Sequence, residues 1–192
     1  MINQDYFINL AKEKTGNAIQ TVAVAAPHDL ATLESLRNAV DLGFTKAILV
    51  GDENIITDVA KEGNLDISDM ELVHADNLAD AAQKSVDQVT AGKASLIMKG
   101  LIDTSVILKA VVKKENNLRT GKTLSYVGIL FNENRDKYYL SSDGAMLISP
   151  DIEQKKGIIE NAVDVAHALG NELPKVAMIC AKEKYYEKMP AT

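Results

Sequence analysis

The sequence predicts an α/β protein built on a doubly wound, largely parallel sheet. Three observations carry this. Short apolar runs recur through the first 120 or so residues, each with the near-continuous hydrophobicity of a strand buried on both faces. Each run hands over to a segment with helical apolar spacing. The turns between them are short, as strand–helix–strand crossovers require.

The elements follow in order. "TVAVAA" (Thr21–Ala26) is the first strand. After "PHD" comes "LATLESLRNAVDLG", whose Leu30, Leu33, Leu36 and Val40 mark a helical face, with Gly43 as its stop. "KAILVGD" is the second strand and "ENIITDVAKEG" a helix ending near Gly63. "MELVHA" is the third strand, and "NLADAAQKSVDQVTAG" the helix behind it. "ASLIMKG" is the fourth strand and "TSVILKAVVKKENN" its helix. The pattern changes after Arg119. "LSYVGILF" and "KYYLSSDGAMLI" are strands joined only by "NENRD", a link short enough for an antiparallel hairpin and too short for a helical crossover. "SPDIEQKKGIIENAVDVAHALG" is a helix with Ser149 as N-cap, Pro150 at the first helical position and Gly170 as stop. "PKVAMICA" then reads as a buried strand. The organisation is a first α/β lobe over 1–123 and the beginning of a second from 124 to 192, which stops past a strand and looks incomplete.

Composition narrows the function. The 192 residues are 46% hydrophobic, enough for a packed core. No uninterrupted apolar run approaches the length of about 18 residues that marks a transmembrane helix. "MINQDYFINLAKEK" lacks the parts of a secretory signal. The single cysteine, Cys180, has no internal disulfide partner and reads as an inert core thiol inside a strand. These features point to the cytoplasm. A formal charge of −6 argues against a dedicated nucleic-acid binder.

Ligands of such sheets bind beyond the carboxyl ends of the strands. Four ends are offered: "PHD" (27–29), "GDE" (51–53), "HAD" (74–76) and "KGLIDTS" (99–105). The last is the richest. Gly100 lets backbone approach a ligand, Asp103 or Thr104 can cap the next helix, and the helix end favours an anion beside Lys99. The following stretch carries Lys109, Lys113, Lys114, Arg119 and Lys122 against the single acid Glu115. A charge run of this kind is usually a solvated face. The alternative is a second phosphate-binding turn at "LRTG", with Arg119 as a bidentate donor followed by Thr120, Gly121 and Lys122. Neither a P-loop nor a dinucleotide fingerprint is present, and His28, His74 and His167 lack metal-ligand spacing.

The succession "VAVAAPHD", "AILVGD", "LIMKGLIDTSVILKAV", "NLRTGKTLSYVGILF", "SSDGAMLISPDIEQKKGIIENAVDVAHALG" and "PKVAMICAKEKYYEKMPAT" resembles the phosphate acetyl/butyryltransferase family over nearly the whole chain. The resemblance implies a two-lobed fold of the isocitrate/isopropylmalate dehydrogenase-like type, with the second lobe incomplete here. It implies an acyltransferase that converts acyl-CoA (butyryl-CoA or a similar short chain) and phosphate to acyl phosphate and CoA, and the reverse. Coenzyme A enters as substrate, no other cofactor is implied, and a homo-oligomer is expected. Carried over by position, Thr104 and Lys109 are the catalytic candidates. Lys99, Gly100, Ser105, Arg119, Thr120, Gly121, Lys122 and Asp143 are the substrate- and phosphate-binding candidates. Asp143 and Pro150 fall in a second-lobe stretch of the family. Tyr126 and Leu147 depart from it, standing where histidine and asparagine are common. The resemblance also implies a C-terminal continuation holding a Ser-Arg segment and an aspartate that binds phosphate and handles the thiol proton. A protein strictly of residues 1–192 is therefore expected to be inactive. Two other readings stand beside this one. A non-catalytic CoA- or phosphate-binding module follows if the natural protein ends at Thr192. A decarboxylating dehydrogenase of the same fold would need clustered aspartates for a metal, and the sequence offers none.

Overall fold

The computed structural model describes residues 2–16, 18–180, 182 and 184–189. The chain divides into two compact units, Thr15–Thr120 and the combination of Met1–Lys14 with Gly121–Thr192.

The first of these is an α/β unit. Strands β1 (Gln20–Ala25), β2 (Thr45–Gly51), β3 (Glu71–His74) and β4 (Leu96–Lys99) form one sheet in the order β3-β2-β1-β4. All three pairings are parallel. Helices α2 (Leu30–Asp41), α3 (Glu53–Glu62), α4 (Leu78–Thr90) and α5 (Thr104–Val111) connect and follow the strands. The period of two along each strand explains why the apolar runs do not alternate with polar residues. Val22, Val24, Ala47 and Leu49 point to one face and pack with Leu33 and Leu36 of α2 and Ile56 and Ala60 of α3. Ala23, Ala25, Ile48 and Val50 point to the other and pack with Ala81, Ala82 and Val86 of α4 and Ile107 and Ala110 of α5. Both faces are therefore covered, and Val24, Leu49 and Val50 are fully buried.

Capping residues set where the helices begin. Asp29 accepts from the Thr32 N–H at 2.9 Å, and Asp52 from the Asn54 and Ile55 N–H groups. Asn77 accepts from the Asp80 N–H at 3.0 Å. Each substitution of such a cap by alanine costs about 1 kcal/mol. α3 ends at Glu62 with Gly63 as its C-cap, as expected, whereas the end of α5 differs. Gly63 sits at φ −82°, and it is Asn64, at φ 50°, that turns the chain after α3. α5 stops at Val111 rather than running on to Asn117, and a 3-10 turn at Lys114–Asn116 follows it.

The other unit holds α1 (Gln4–Thr15, up to Lys14), the hairpin β5 (Gly128–Asn132) and β6 (Lys137–Ser141), and α6 (Ile152–Ala168). The hairpin is antiparallel, with Gly128 opposite Ser141 and Asn132 opposite Lys137. Both strands are shorter than their apolar runs. β6 ends where the carboxylate of Asp143 gathers the main chain of the next four residues into a loop. α1 went unread in the sequence. Asn3 accepts from the Tyr6 N–H in the manner of an N-cap, and Phe7 packs on Phe131 and Tyr138 at ring-centroid distances of 5.8 and 5.7 Å. α6 starts two residues later than Pro150 suggests. Its N-cap is Asp151, not Ser149, in a reciprocal capping box with Gln154.

The expected strand "PKVAMICA" is not formed over residues 174–180, and Ala181 lies outside the described residues. A strand needs an edge to pair with, and no described strand offers it one. Val176, Met178 and Ile179 are exposed. Cys180 is exposed as well, its thiol donating to the Lys182 carbonyl at 2.7 Å, so it is not a core thiol.

Candidate functional site

In the α/β unit the chain winds outward from β1 through β2 to β3, then returns to place β4 on the other side of β1. The crevice between the carboxyl ends of β1 and β4 is the topological switch point, where ligands of open parallel sheets bind. It is bordered by "APH" (26–28) after β1 and "KGLIDTS" (99–105) after β4.

The two borders are locked together by main-chain bonds. The N–H of Gly100 donates to the Ala25 carbonyl and that of Leu101 to the Ala26 carbonyl, both at 2.8 Å. A side chain at Gly100 would run into Ala26 and Pro27: its Cβ would lie 2.8 Å from the Ala26 carbonyl carbon and 2.9 Å from the Pro27 Cα. The glycine is thus required by the neighbouring strand end. This is a structural reason for glycine that the sequence alone does not reveal. Lys99 is exposed, and its ammonium is engaged locally. Its Nζ donates to the carbonyls of Ile102, at 3.2 Å, and Gly100, at 3.4 Å, so the ammonium closes the turn.

Beyond this turn, α5 opens differently from the helices before it. Asp103 occupies the N-cap with extended backbone (φ −64°, ψ 137°) but makes no side-chain cap bond. In α2, α3 and α4 the cap side chain takes first-turn N–H groups. The Val106 N–H is taken by the Asp103 carbonyl at 3.0 Å, so the Thr104 and Ser105 N–H groups and the positive end of the dipole are what this end of α5 offers to another acceptor. Thr104 and Ser105 are exposed there. Lys109, also exposed, stands one turn on from Ser105, so an i, i+4 pair places both on one helix face. Thr104 is about 140° around the helix from Lys109 by the same geometry. The structure therefore groups Ser105 with Lys109 and sets Thr104 apart from it.

The neighbouring strand ends add a histidine that sequence reasoning weighed only as a metal ligand. His28 Nε2 accepts from the Asp52 N–H at 3.1 Å, tying the loop after β1 to the end of β2. The imidazole is neutral in that role. Burial pushes its pKa below the ordinary value, against the opposing pull of the Asp52 and Asp29 carboxylates. Among the described residues no group of three or more His, Cys, Asp or Glu side chains could hold a metal ion.

The "LRTGK" candidates fall on both sides of the division of the chain. Arg119 and Thr120 end the α/β unit and are exposed. Leu118 before them packs on the α4/α5 side of the core. Gly121, at φ 80°, and Lys122 belong to the other unit, where Lys122 lies 3.8 Å from Asp164 in an exposed ion pair. Such a pair contributes well under about 1 kcal/mol. Just after it, Asn161 Nδ2 donates to the Thr123 carbonyl and to Ser125 Oγ, both at 2.8 Å.

Asp143 is placed in the loop after β6. One carboxylate oxygen accepts from the N–H groups of Ala145 and Met146, both at 3.1 Å, and of Tyr126 at 3.4 Å. The other accepts from Leu147 at 3.0 Å. Burial raises its pKa, but the four backbone donors outweigh this and hold it below the usual carboxylate value. Both oxygens are engaged in building the loop.

Comparison with known proteins follows the same segments. Residues 74–192, which include every one of these candidates except His28, match the phosphate acetyl/butaryl transferase family. A phosphate butyryltransferase of Clostridium acetobutylicum is 43% identical over 174 residues, covering 91% of this chain and 58% of the relative. One from Clostridium beijerinckii is 40% identical over 171 residues, covering 89% of this chain and 57% of the relative. A solved branched-chain phosphotransacylase from Enterococcus faecalis superposes with a TM-score of 0.72 at 29% identity, over 90% of this chain and 60% of that one. The chain thus spans less than two thirds of the length of these relatives, and on the extent of these matches it belongs to the phosphate acetyl/butaryl transferase family.

Proposed function

We propose that this chain forms part of an acyltransferase interconverting acyl-CoA and phosphate with acyl phosphate and CoA, acting on butyryl-CoA or a similar short acyl chain. The observation that carries the reading is the open N-terminus of α5 at the β1/β4 switch point, with Ser105 and Lys109 exposed on one face of that helix. Both substrates bring phosphate groups, and the N–H donors at a helix N-terminus are suited to them. The names of the similar proteins, phosphate butyryltransferases and a phosphotransacylase, support the same chemistry.

In the forward reaction a phosphate oxygen attacks the thioester carbonyl carbon. The electron pair moves onto the carbonyl oxygen, and its return expels CoA as thiolate, which then takes a proton. The work asked of the protein is to hold an anionic nucleophile against the carbonyl and to stabilise the developing oxyanion. Lys109 and Arg119 supply cations, and Thr104 and Ser105 supply hydroxyl donors. Lys99 and Gly100 shape the turn, and Thr120, Gly121 and Lys122 complete the second phosphate-binding segment. The reading further takes the fold to be the isocitrate/isopropylmalate dehydrogenase-like type, two-lobed, and the protein to be a cytoplasmic homo-oligomer with no cofactor besides CoA as substrate.

The test is release of free CoA thiol from butyryl-CoA by the complete gene product, followed with a thiol reagent with and without phosphate. Phosphate-dependent release, weakened about thirtyfold by Lys109→Ala through loss of one charged contact, is expected. Thiol release that does not depend on phosphate would overturn the reading.

A further inference from the structure

Between α5 and Arg119 the chain carries Lys113 and Lys114 and would be expected to move freely, yet one side-chain amide fixes it. Asn116 Nδ2 donates to the Ala110 carbonyl at 2.7 Å, near the C-terminal end of α5. The same amide faces Gln83 of α4. Gln83 Nε2 donates to Asn116 Oδ1 at 2.9 Å, and Asn116 Nδ2 lies 3.4 Å from Gln83 Oε1. Gln83 is itself steadied by Asp87, whose carboxylate accepts from Nε2 at 2.8 Å. The contacts join α4, α5 and the connecting turn, and Asn116 is half-buried among them. The next residue, Asn117, takes the left-handed conformation at φ 52°, and Leu118 returns to the core. The backbone is therefore pinned three residues before Arg119.

We infer that Asn116, with Gln83 behind it, is a positioning residue for the phosphate grip at Arg119; the inference rests on the function proposed above. A guanidinium binds a phosphate in a fork geometry, so its strength depends on where the backbone starts the side chain. Asparagine is suited to this place because one side chain must donate to a helix carbonyl and accept from Gln83. Aspartate lacks the donor, and leucine of similar size lacks both.

The variants are Asn116→Leu and Gln83→Leu in the full chain. Both are uncharged replacements outside the proposed grip, and Gln83→Leu serves where Asn116→Leu fails to fold. Three readouts are taken: CoA affinity by titration calorimetry, the rate of tryptic cleavage after Arg119 under native conditions, and the urea midpoint. Both variants should be cut after Arg119 faster than wild type and should bind CoA about three- to tenfold more weakly, as expected for a grip loosened rather than removed. In the complete enzyme the loss should fall on KM for CoA, with kcat little changed. Wild-type CoA affinity and cleavage rate beside a lowered urea midpoint would overturn the inference and leave Asn116 as a helix-end cap. If the wild-type protein binds neither CoA nor phosphate, the proposed function itself fails and takes this inference with it.

Discussion

Replacing Gly100 by alanine tests the central geometry of the candidate site. The added Cβ would lie 2.8 Å from the Ala26 carbonyl carbon, 2.9 Å from Pro27 Cα and closer still to the Ala26 oxygen. Carbon atoms rest at about 3.5 Å or more, so the turn must retreat by the better part of an ångström. All three obstacles are main chain and cannot rotate away. Retreat stretches the Gly100-to-Ala25 and Leu101-to-Ala26 bonds, each 2.8 Å, toward distances at which they no longer count as hydrogen bonds. Two such bonds at about 1 kcal/mol each, with about 1 kcal/mol of overpacking, give a loss of about 3 kcal/mol. In urea the midpoint should fall by about 1–2 M at ordinary slopes. Circular dichroism follows the unfolding, and Gly144→Ala is the control, since a Cβ at that position would meet nothing within 4 Å. Because the same turn aims the N-terminus of α5, Gly100→Ala should also weaken CoA binding. A Gly100→Ala protein as stable as Gly144→Ala would refute the claim that the strand ends are locked by backbone contact.

Other substitutions probe separate parts of the chain. Asp143→Asn puts an amide donor where a carboxylate oxygen now receives backbone N–H groups, and the lost acceptor should lower stability by about 1–3 kcal/mol in denaturant melts; an unchanged melt would mean the loop does not depend on that charge. His28 has a folded-state pKa below its unfolded value of 6.5, so the unfolded chain takes up the proton first. Its contribution is full above pH 6.5 and is lost as the pH falls below that value, so wild type should lose stability between pH 7 and 5 more steeply than His28→Ala; parallel profiles would sink this. Arg119→Lys keeps the charge but loses the fork, and CoA affinity should drop about tenfold if the side chain grips phosphate and stay level if it is a solvated face.

The α/β unit was legible because its elements are specified locally. Alternating strand residues such as Val22 and Ala23 are apolar on both faces, and Asp29, Asp52 and Asn77 stand where caps belong. The later residues were less legible for a physical reason. "KVAMICA" has the composition of a strand, but strand formation depends on a partner edge that local sequence does not reveal. α1 was missed because its anchor, Phe7, meets Phe131 and Tyr138 more than a hundred residues away. At the site, sequence singled out the turn after β4 but could not show the local contacts of its residues. Spacing could not show that Gly100 abuts Ala26 and Pro27 or that the Lys99 ammonium donates to two carbonyls of the same turn. Asn116 offered no sequence signal, since an amide in a polar turn is common and its partner Gln83 is remote in the chain.

Under the proposed function, these placements redistribute the work of binding an anion. With the Lys99 ammonium turned to the Gly100 and Ile102 carbonyls, the charge nearest the β4 end helps to build the turn. What faces outward at the switch point is a set of helix donors, two hydroxyls and Lys109 one turn further on. A helix terminus carries only about half a charge, and its effect fades within the first turn. Such a feature orients a phosphate more than it holds one, and under the proposed function the holding would come from full charges such as Lys109 and Arg119. Arg119 lies at the end of a basic segment whose backbone would wander without Asn116 and Leu118 to fix it. Under the proposed function, orientation at α5 and grip at Arg119 would be set by separate devices, one a backbone lock at Gly100 and the other an amide contact at Asn116. Damage to one should leave the other intact, so that Gly100→Ala and Asn116→Leu lower CoA affinity additively.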